Sequence, residues 1–202
     1  MNNPSILILL CIGLLLECSG PSLPKFPLAD GPCNGENLPI LVQPEKDILA
    51  GNGLLTTYCK SEITPSGVEL RITYVFQDEV HPHTLKDVIY RIYRRFKYGR
   101  TADIESIRVK LNPDGNLSEI DLTNVYSAGQ IFLQDPVEHY DSILKPTQIE
   151  FRNLRPVLFV NTWNHMFGEK DTNPDLPKME ILGGELRYGS RELLESYFKG
   201  RL

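Results

Sequence analysis

No stretch of this chain stays apolar for the roughly 20 residues a helix needs to cross a bilayer; the longest run, Ile6 to Leu16, has eleven residues. A permanent helical span is therefore not expected. Familiar catalytic signatures are missing as well: there is no Gly-x-Ser-x-Gly, no His-Glu-x-x-His and no glycine-rich phosphate loop, which removes the sequence case for the common hydrolases, zinc peptidases and nucleotide enzymes. Cysteine is scarce, at four in 202 residues, and no two form a Cys-x-x-Cys pair of the kind that opens a zinc knuckle. A formal net charge of -5 and the lack of any nucleic-acid-binding motif argue against a nucleic-acid partner. No internal repeat is visible, so one core is the default.

What is present begins at the N-terminus. Ile6–Leu16 has the length of a signal-peptide h-region and stops abruptly at Glu17-Cys18-Ser19-Gly20. Residues 1–20 are expected to be a signal peptide or a lipoprotein signal. The protein is then exported: secreted, periplasmic or anchored at the cell surface. Cleavage after Gly20 would leave Pro21 at the new terminus, an awkward residue for a peptidase. Cleavage before Cys18 would free its thiol for lipid, and Leu15-Leu16-Glu17-Cys18 loosely resembles the lipobox of bacterial lipoproteins, departing from it at Glu17. Membrane association through such an anchor is one expected mode of partnership.

With Cys11 and Cys18 in or beside the signal, Cys33 and Cys59 are the only pair left, and in an exported chain a disulfide between them is expected. Residues 21–50 include six prolines and no sustained apolar period, which suggests a Pro-rich tether or an extended wrap. Residues 51–202 have the size of a single domain.

Within that domain the period of two is clear. Val68, Leu70, Ile72, Tyr74 and Phe76 alternate with mostly polar neighbours, one face packed and one wet, and Leu54–Lys60 precedes them as a hairpin partner. A second hairpin turns at Asn112-Pro113-Asp114-Gly115, with Ile107, Val109 and Leu111 before it and Leu117, Ile120 and Leu122 after it. Shorter strands are expected at Gln130–Leu133, Gln148–Arg152, Val157–Trp163 and Lys178–Leu182. A first helix is expected from a Thr84 cap to Gly99, with Leu85, Val88, Ile89, Ile92, Tyr93 and Phe96 as its core stripe. A second starts at Ser190 and buries Leu193, Leu194, Tyr197 and Phe198. The pattern is α+β: a mainly antiparallel sheet of about six to eight strands with two amphipathic helices, a β-sandwich or lipocalin-like barrel being the alternative.

Two features bear on function. Arg91, Arg94, Arg95, Lys97 and Arg100 concentrate positive charge on and just after the first helix, a pattern that fits a solvated face or an anionic membrane or glycan surface. The segment Asn161-Thr162-Trp163-Asn164-His165 is polar where a core strand should be apolar, and it holds the only tryptophan. Continued as a strand, it projects Asn161, Trp163 and His165 from one face and Asn164 from the other. Asn161, Trp163, Asn164 and His165 are the candidate binding residues, and His165 with Asp171 or Glu169 is the candidate acid–base pair of a small hydrolase or lyase. The alternative is that the asparagines satisfy backbone groups at a strand end.

No metal or cofactor is expected. Asp171-x-Asn173-x-Asp175 has the oxygen spacing that opens an EF-hand, but Leu176 and Leu182 stand where glycine and glutamate are required. His81-Pro82-His83 beside Asp78 and Glu79 fits a turn better than a zinc site. Asn116-Leu117-Ser118 is a glycosylation sequon at the hairpin turn. The resulting functional expectation is an exported, non-enzymatic module that binds a ligand or protein partner.

Overall fold

The computed structural model describes residues 23–29, 31–182 and 186–199. The expected signal and Cys18 lie outside the described residues. Among the described residues eleven strands form two sheets. The first contains β1 (Ile40–Pro44), β7 (Phe151–Arg152), β8 (Arg155–Val160), β9 (Phe167–Gly168) and β10 (Lys178–Ile181), in the order β10-β1-β8-β7 with β9 paired to β8. The second contains β2 (Leu54–Thr64), β3 (Gly67–Phe76), β4 (Asp103–Leu111), β5 (Leu117–Asp121), β6 (Ile143–Leu144) and β11 (Leu186–Tyr188), in the order β11-β2-β3-β4-β5-β6. Pairings are antiparallel except β1 with β8 and β11 with β2.

Both long hairpins form where the alternation places them. Ile72 faces Ile107 across the β3–β4 pair, and Asn112–Gly115 closes the β4–β5 turn with Gly115 at φ 81°. The main core draws from both sheets: Leu41, Leu158 and Val160 from one, and Leu70, Ile72, Tyr74, Ile107, Val109 and Ile120 from the other. The sheets therefore pack face to face, each supplying its inward alternate residues. The chain is one α+β unit, and its strand count exceeds what periodicity indicates because β6, β7 and β9 are two-residue strands too short to carry a period.

Four local expectations change. The expected tether is anchored to the fold where it is described: Ile40–Pro44 is a fully buried strand between β8 and β10, and Cys33 is bonded to Cys59. The continuous apolar run Ile40-Leu41-Val42 suits a strand covered on both faces. The outer face of β3 is dry near its end, where Val75 packs with Leu194 and Phe198 of helix α3 (Arg191–Lys199). Gln130–Leu133 forms turns, and β8 stops at Val160. There Thr162–His165 makes a tight turn, closed by a hydrogen bond from His165 N–H to the Thr162 carbonyl, and β9 pairs back on β8.

The fourth change concerns helix α2 (Thr84–Tyr98), which connects β3 to β4. A short helical turn, α1 (Glu45–Asp47), is continued by Ile48–Asn52, and Asn52 accepts from Val80 N–H in the segment leading to α2. Gly99 ends α2 as expected, at φ 69° with its N–H bonded to the Arg95 carbonyl. His83 occupies the N-cap and no side chain caps it, so Thr84 is the first helical residue instead. The expected core stripe faces outward: Leu85 is 66% exposed and Phe96 81%. The buried side presents Asp87 and Arg94. Local amphipathicity says which residues share a face; only the partners decide which face turns inward, and here a charge cluster holds Arg94.

Candidate functional site

Arg94 is 1% exposed and reaches three carboxylates. Its guanidinium lies 3.5 Å from Asp78, 3.1 Å from Glu79 and 3.4 Å from Asp103, and it donates to the Ala102 carbonyl at 3.1 Å. The fold brings these together because Asp78 and Glu79 follow β3, Asp103 opens β4 and α2 spans the gap between them. A planar fork with five donors can serve several acceptors at once, which a lysine could not.

The network continues inward. Asp103 Oδ2 is 2.8 Å from His165 Nδ1, and the imidazole stacks on Phe76 with ring centres 3.8 Å apart. His165 Nε2 has no hydrogen-bond partner among the described residues and faces Asp47 Oδ2 at 3.7 Å. Asp47 in turn accepts from Gln43 and Asn52. His165 sits at φ 60°, a left-handed conformation uncommon outside glycine, which the turn requires in order to send the ring inward.

Electrostatics follow from that geometry. Burial alone would push Asp103 up, but the hydrogen bond and charge of His165, with Arg94 and Arg100, hold it down at about 2. For His165 burial favours the neutral ring, and the Asp103 hydrogen bond together with the nearby carboxylates outweighs it, raising its pKa. Glu79 is pushed up to about 8, chiefly by burial and then by the Asp103 charge, against the pull of Arg94. Glu79 thus keeps its proton into the neutral range while Asp103 stays ionised, and the surrounding carboxylates bias His165 toward its protonated form.

Toward solvent the network ends at a cleft of about 520 Å³ between α2 and the loop around Asp135. The Tyr90 hydroxyl donates to Glu79 at 3.0 Å. Trp163 forms an inner wall, its indole N–H donating to the Gln134 carbonyl and its ring 4.5 Å from His81 and 6.1 Å from Tyr90. Asp135 takes Lys86 at 2.5 Å and faces His81 Nε2 at 3.5 Å. Tyr93, Asn164 and His139 complete the rim.

The expected site residues therefore divide. Trp163 and Asn164 line the cleft. His165 is completely buried and paired with Asp103, not with Asp171 or Glu169, so the expected acid–base pair does not form. Asn161 staples loops: its amide donates to Ser127 and the Lys170 carbonyl and accepts from Thr172 N–H. Gly168 permits this, since a Cβ there would come within 2.6 Å of the Asn161 amide. Asp171 accepts from Asn173 N–H and from Lys178, whose ammonium also reaches the carbonyls of Asn173 and Leu176. A lysine thus fills the loop whose spacing suggests calcium. Among the described residues no cluster of three or more His, Cys, Asp or Glu is arranged to hold a metal. Asn116 is exposed at its turn.

Asp103 and Tyr90 are absent from the sequence-level candidates; Arg94 enters there only as part of the expected outer basic face, whereas it is buried, and Glu79 only as a neighbour of the His81–His83 turn. The available signal was acid at strand termini, Asp78-Glu79 after β3 and Asp103-x-Glu105 at the start of β4, together with an arginine opposite the apolar stripe of the intervening helix.

No family model matches the chain, and no curated protein matches it significantly. Among solved structures, the crystal structure of Necrosis and Ethylene inducing Protein 2, from the causal agent of cocoa's Witches Broom disease, is similar at 12% identity, over 89% of this chain and 82% of that one, with a TM-score of 0.39. A likeness of that degree leaves function to be argued from the site itself.

Proposed function

We propose that this is an exported binding module that holds a carbohydrate in the α2 cleft. The Cys33–Cys59 disulfide is compatible with export. The observation that carries the ligand class is the cleft wall: Tyr90, Tyr93 and Trp163 stand beside Asp135, His81 and Lys86. A sugar ring presents an apolar C–H face that packs on aromatic rings and a rim of hydroxyls that pair with carboxylate, imidazole and ammonium groups. The cleft volume, about 520 Å³, falls in the range of roughly 300–1,000 Å³ usual for small-ligand sites. The His165–Asp103 pair lies behind Glu79 and Arg94 and does not line the cleft, which speaks against acid–base chemistry by His165 there and favours binding.

Trp163 is the only tryptophan, so intrinsic fluorescence reports on this wall alone. Titration with a panel of neutral and acidic oligosaccharides is expected to change its emission saturably. Tyr93→Ala should weaken binding by about tenfold, the scale of one lost aromatic contact, while leaving stability intact because the side chain is half exposed. Apolar compounds that bind with no sugar doing so would sink the carbohydrate assignment. Intact-mass spectrometry of the protein from its host tests the proposed N-terminal processing: a lipid on Cys18, or a mass matching cleavage after Gly20.

A further inference from the structure

We infer that α2 has a second role: beside the cleft, whose lining shares Ile89 and Tyr93 with this face, it docks on the surface of an anionic lipid bilayer. Leu85, Val88, Ile89, Ile92, Tyr93 and Phe96 occupy one side of the helix and all are exposed, Phe96 the most. Contiguous apolar surface of this kind, kept on a helix whose other side is held inward by buried charge, calls for a partner. The orientation is set by Arg94, which sits about 180° from the middle of the stripe at about 100° per residue.

Charge identifies the partner. Round the same wheel, Arg91 and Arg95 border the stripe on one side, and Lys86 and Lys97 on the other. α2 carries five basic residues and one acidic residue, in a chain whose formal net charge is -5. Arg95 and Lys97 are exposed and have no carboxylate within salt-bridge distance among the described residues. An apolar stripe with cationic flanks is the arrangement that sinks into acyl chains while long basic side chains reach back to phosphate. A second copy of the chain would bring these flanks against like charges, which disfavours a self-association face. A bilayer supplies both chemistries: hydrocarbon for the stripe and anionic headgroups for the rims.

The test uses the full-length protein and vesicles of phosphatidylcholine with or without phosphatidylglycerol. Phe96→Trp places a reporter on the stripe, read against the parent protein, in which Trp163 is the only tryptophan. On anionic vesicles its emission should shift to the blue and be quenched by lipids brominated in their acyl chains, and the effect should fade with added salt. Ile92→Glu with Phe96→Glu should lower partitioning by about tenfold or more, given the apolar area removed from lipid. Neither residue lines the cleft, so sugar binding by this variant should match that of the parent, and a failed carbohydrate assignment leaves this test untouched. The reporter also separates helix contact from any contribution of the Ile6–Leu16 run. An unchanged signal from the Phe96→Trp reporter on anionic vesicles, equal binding to neutral ones, or a dimer in light scattering that the double-glutamate variant abolishes would each overturn the inference.

Discussion

Replacing Arg94 by methionine keeps most of the side-chain volume and removes the cation shared by Asp78, Glu79 and Asp103. At 3.4–3.5 Å the two ionised pairs, with Asp78 and Asp103, are each worth about 5 kcal/mol gross at an effective dielectric of about 20, whereas Glu79, which keeps its proton up to about 8, offers Arg94 a neutral acceptor at 3.1 Å. Much of that is offset by desolvation, so the loss should be nearer the ~3–5 kcal/mol seen when one partner of a buried pair is deleted. Two of the carboxylates keep other partners: Arg91 lies 2.9 Å from Asp78, and His165 holds Asp103. Glu79 keeps only the Tyr90 hydroxyl and stays protonated near neutral pH, as it does beside Arg94. The expected result at pH 6 to 7 is therefore a loss of about 3 kcal/mol, at the lower end of that range, measured as a shift in urea midpoint at constant m. Arg94→Lys should recover less than half of it, because an ammonium restores charge but cannot span three carboxylates and the Ala102 carbonyl. A loss below about 1 kcal/mol for the methionine variant would mean that these acids are solvated or neutral and that the network does not orient α2. Full recovery by lysine would mean that charge alone matters and that the fork geometry is incidental.

Stability should fall as pH rises from about 4.5 to about 8, because folded Glu79 keeps a proton up to about 8 that an unfolded glutamate releases near 4.3. His165, also raised, adds to this above about 6.5, each group contributing at most about 1.4 kcal/mol per pH unit. Chemical denaturation from pH 5 to 9 should show the decline, and Glu79→Gln should remove its part below about 6.5 and lessen the rest; a rise across that window would reverse the assigned sign. Asp103 acts oppositely: its contribution is present above about 3.8 and is lost as pH falls toward about 2. Replacing Cys33 and Cys59 by alanine should cost about 3–4 kcal/mol for a closed loop of this size in the chain-entropy model, read by denaturation beside a non-reducing mass check. Thr84→Ala should change stability by less than about 0.5 kcal/mol, since Thr84 is not the cap, whereas Gly99→Ala should cost about 1 kcal/mol for the left-handed position it occupies.

What the sequence disclosed was local. The β2–β3 and β4–β5 hairpins follow from alternation and turn chemistry, both of which act over a few residues, and α2 ends at Gly99 for an equally local reason. The expectation of export narrowed four cysteines to one pair. The candidate site was legible only in part: Trp163 and Asn164 line the cleft because the polar segment after β8 is a turn beside it, and that same turn sends His165 the other way. Its partner Asp103 is 62 residues away in sequence, and no spacing rule connects them.

The inverted helix shows why the remainder was not legible. The period of α2 correctly groups Leu85, Val88, Ile89, Ile92, Tyr93 and Phe96, and burying them would have been the default for a free amphipathic helix. Instead α2 bridges strands whose adjoining ends carry Asp78, Glu79 and Asp103 in a dry setting. Turning the helix by half a revolution would leave those three carboxylates without Arg94, at a cost comparable to the ~3–5 kcal/mol of a broken buried ion pair, and would place a bulky apolar stripe against them. The exposed stripe is thus the consequence of satisfying the cluster, and it costs less if a lipid surface removes it from water. Fold stability and surface binding are in that sense coupled through one residue: Arg94→Met should weaken the orientation of α2 and reduce vesicle partitioning even though its side chain is buried away from any bilayer. If partitioning is unchanged in a folded Arg94→Met protein, the helix keeps its orientation for some other reason, and the link between the cluster and the stripe fails.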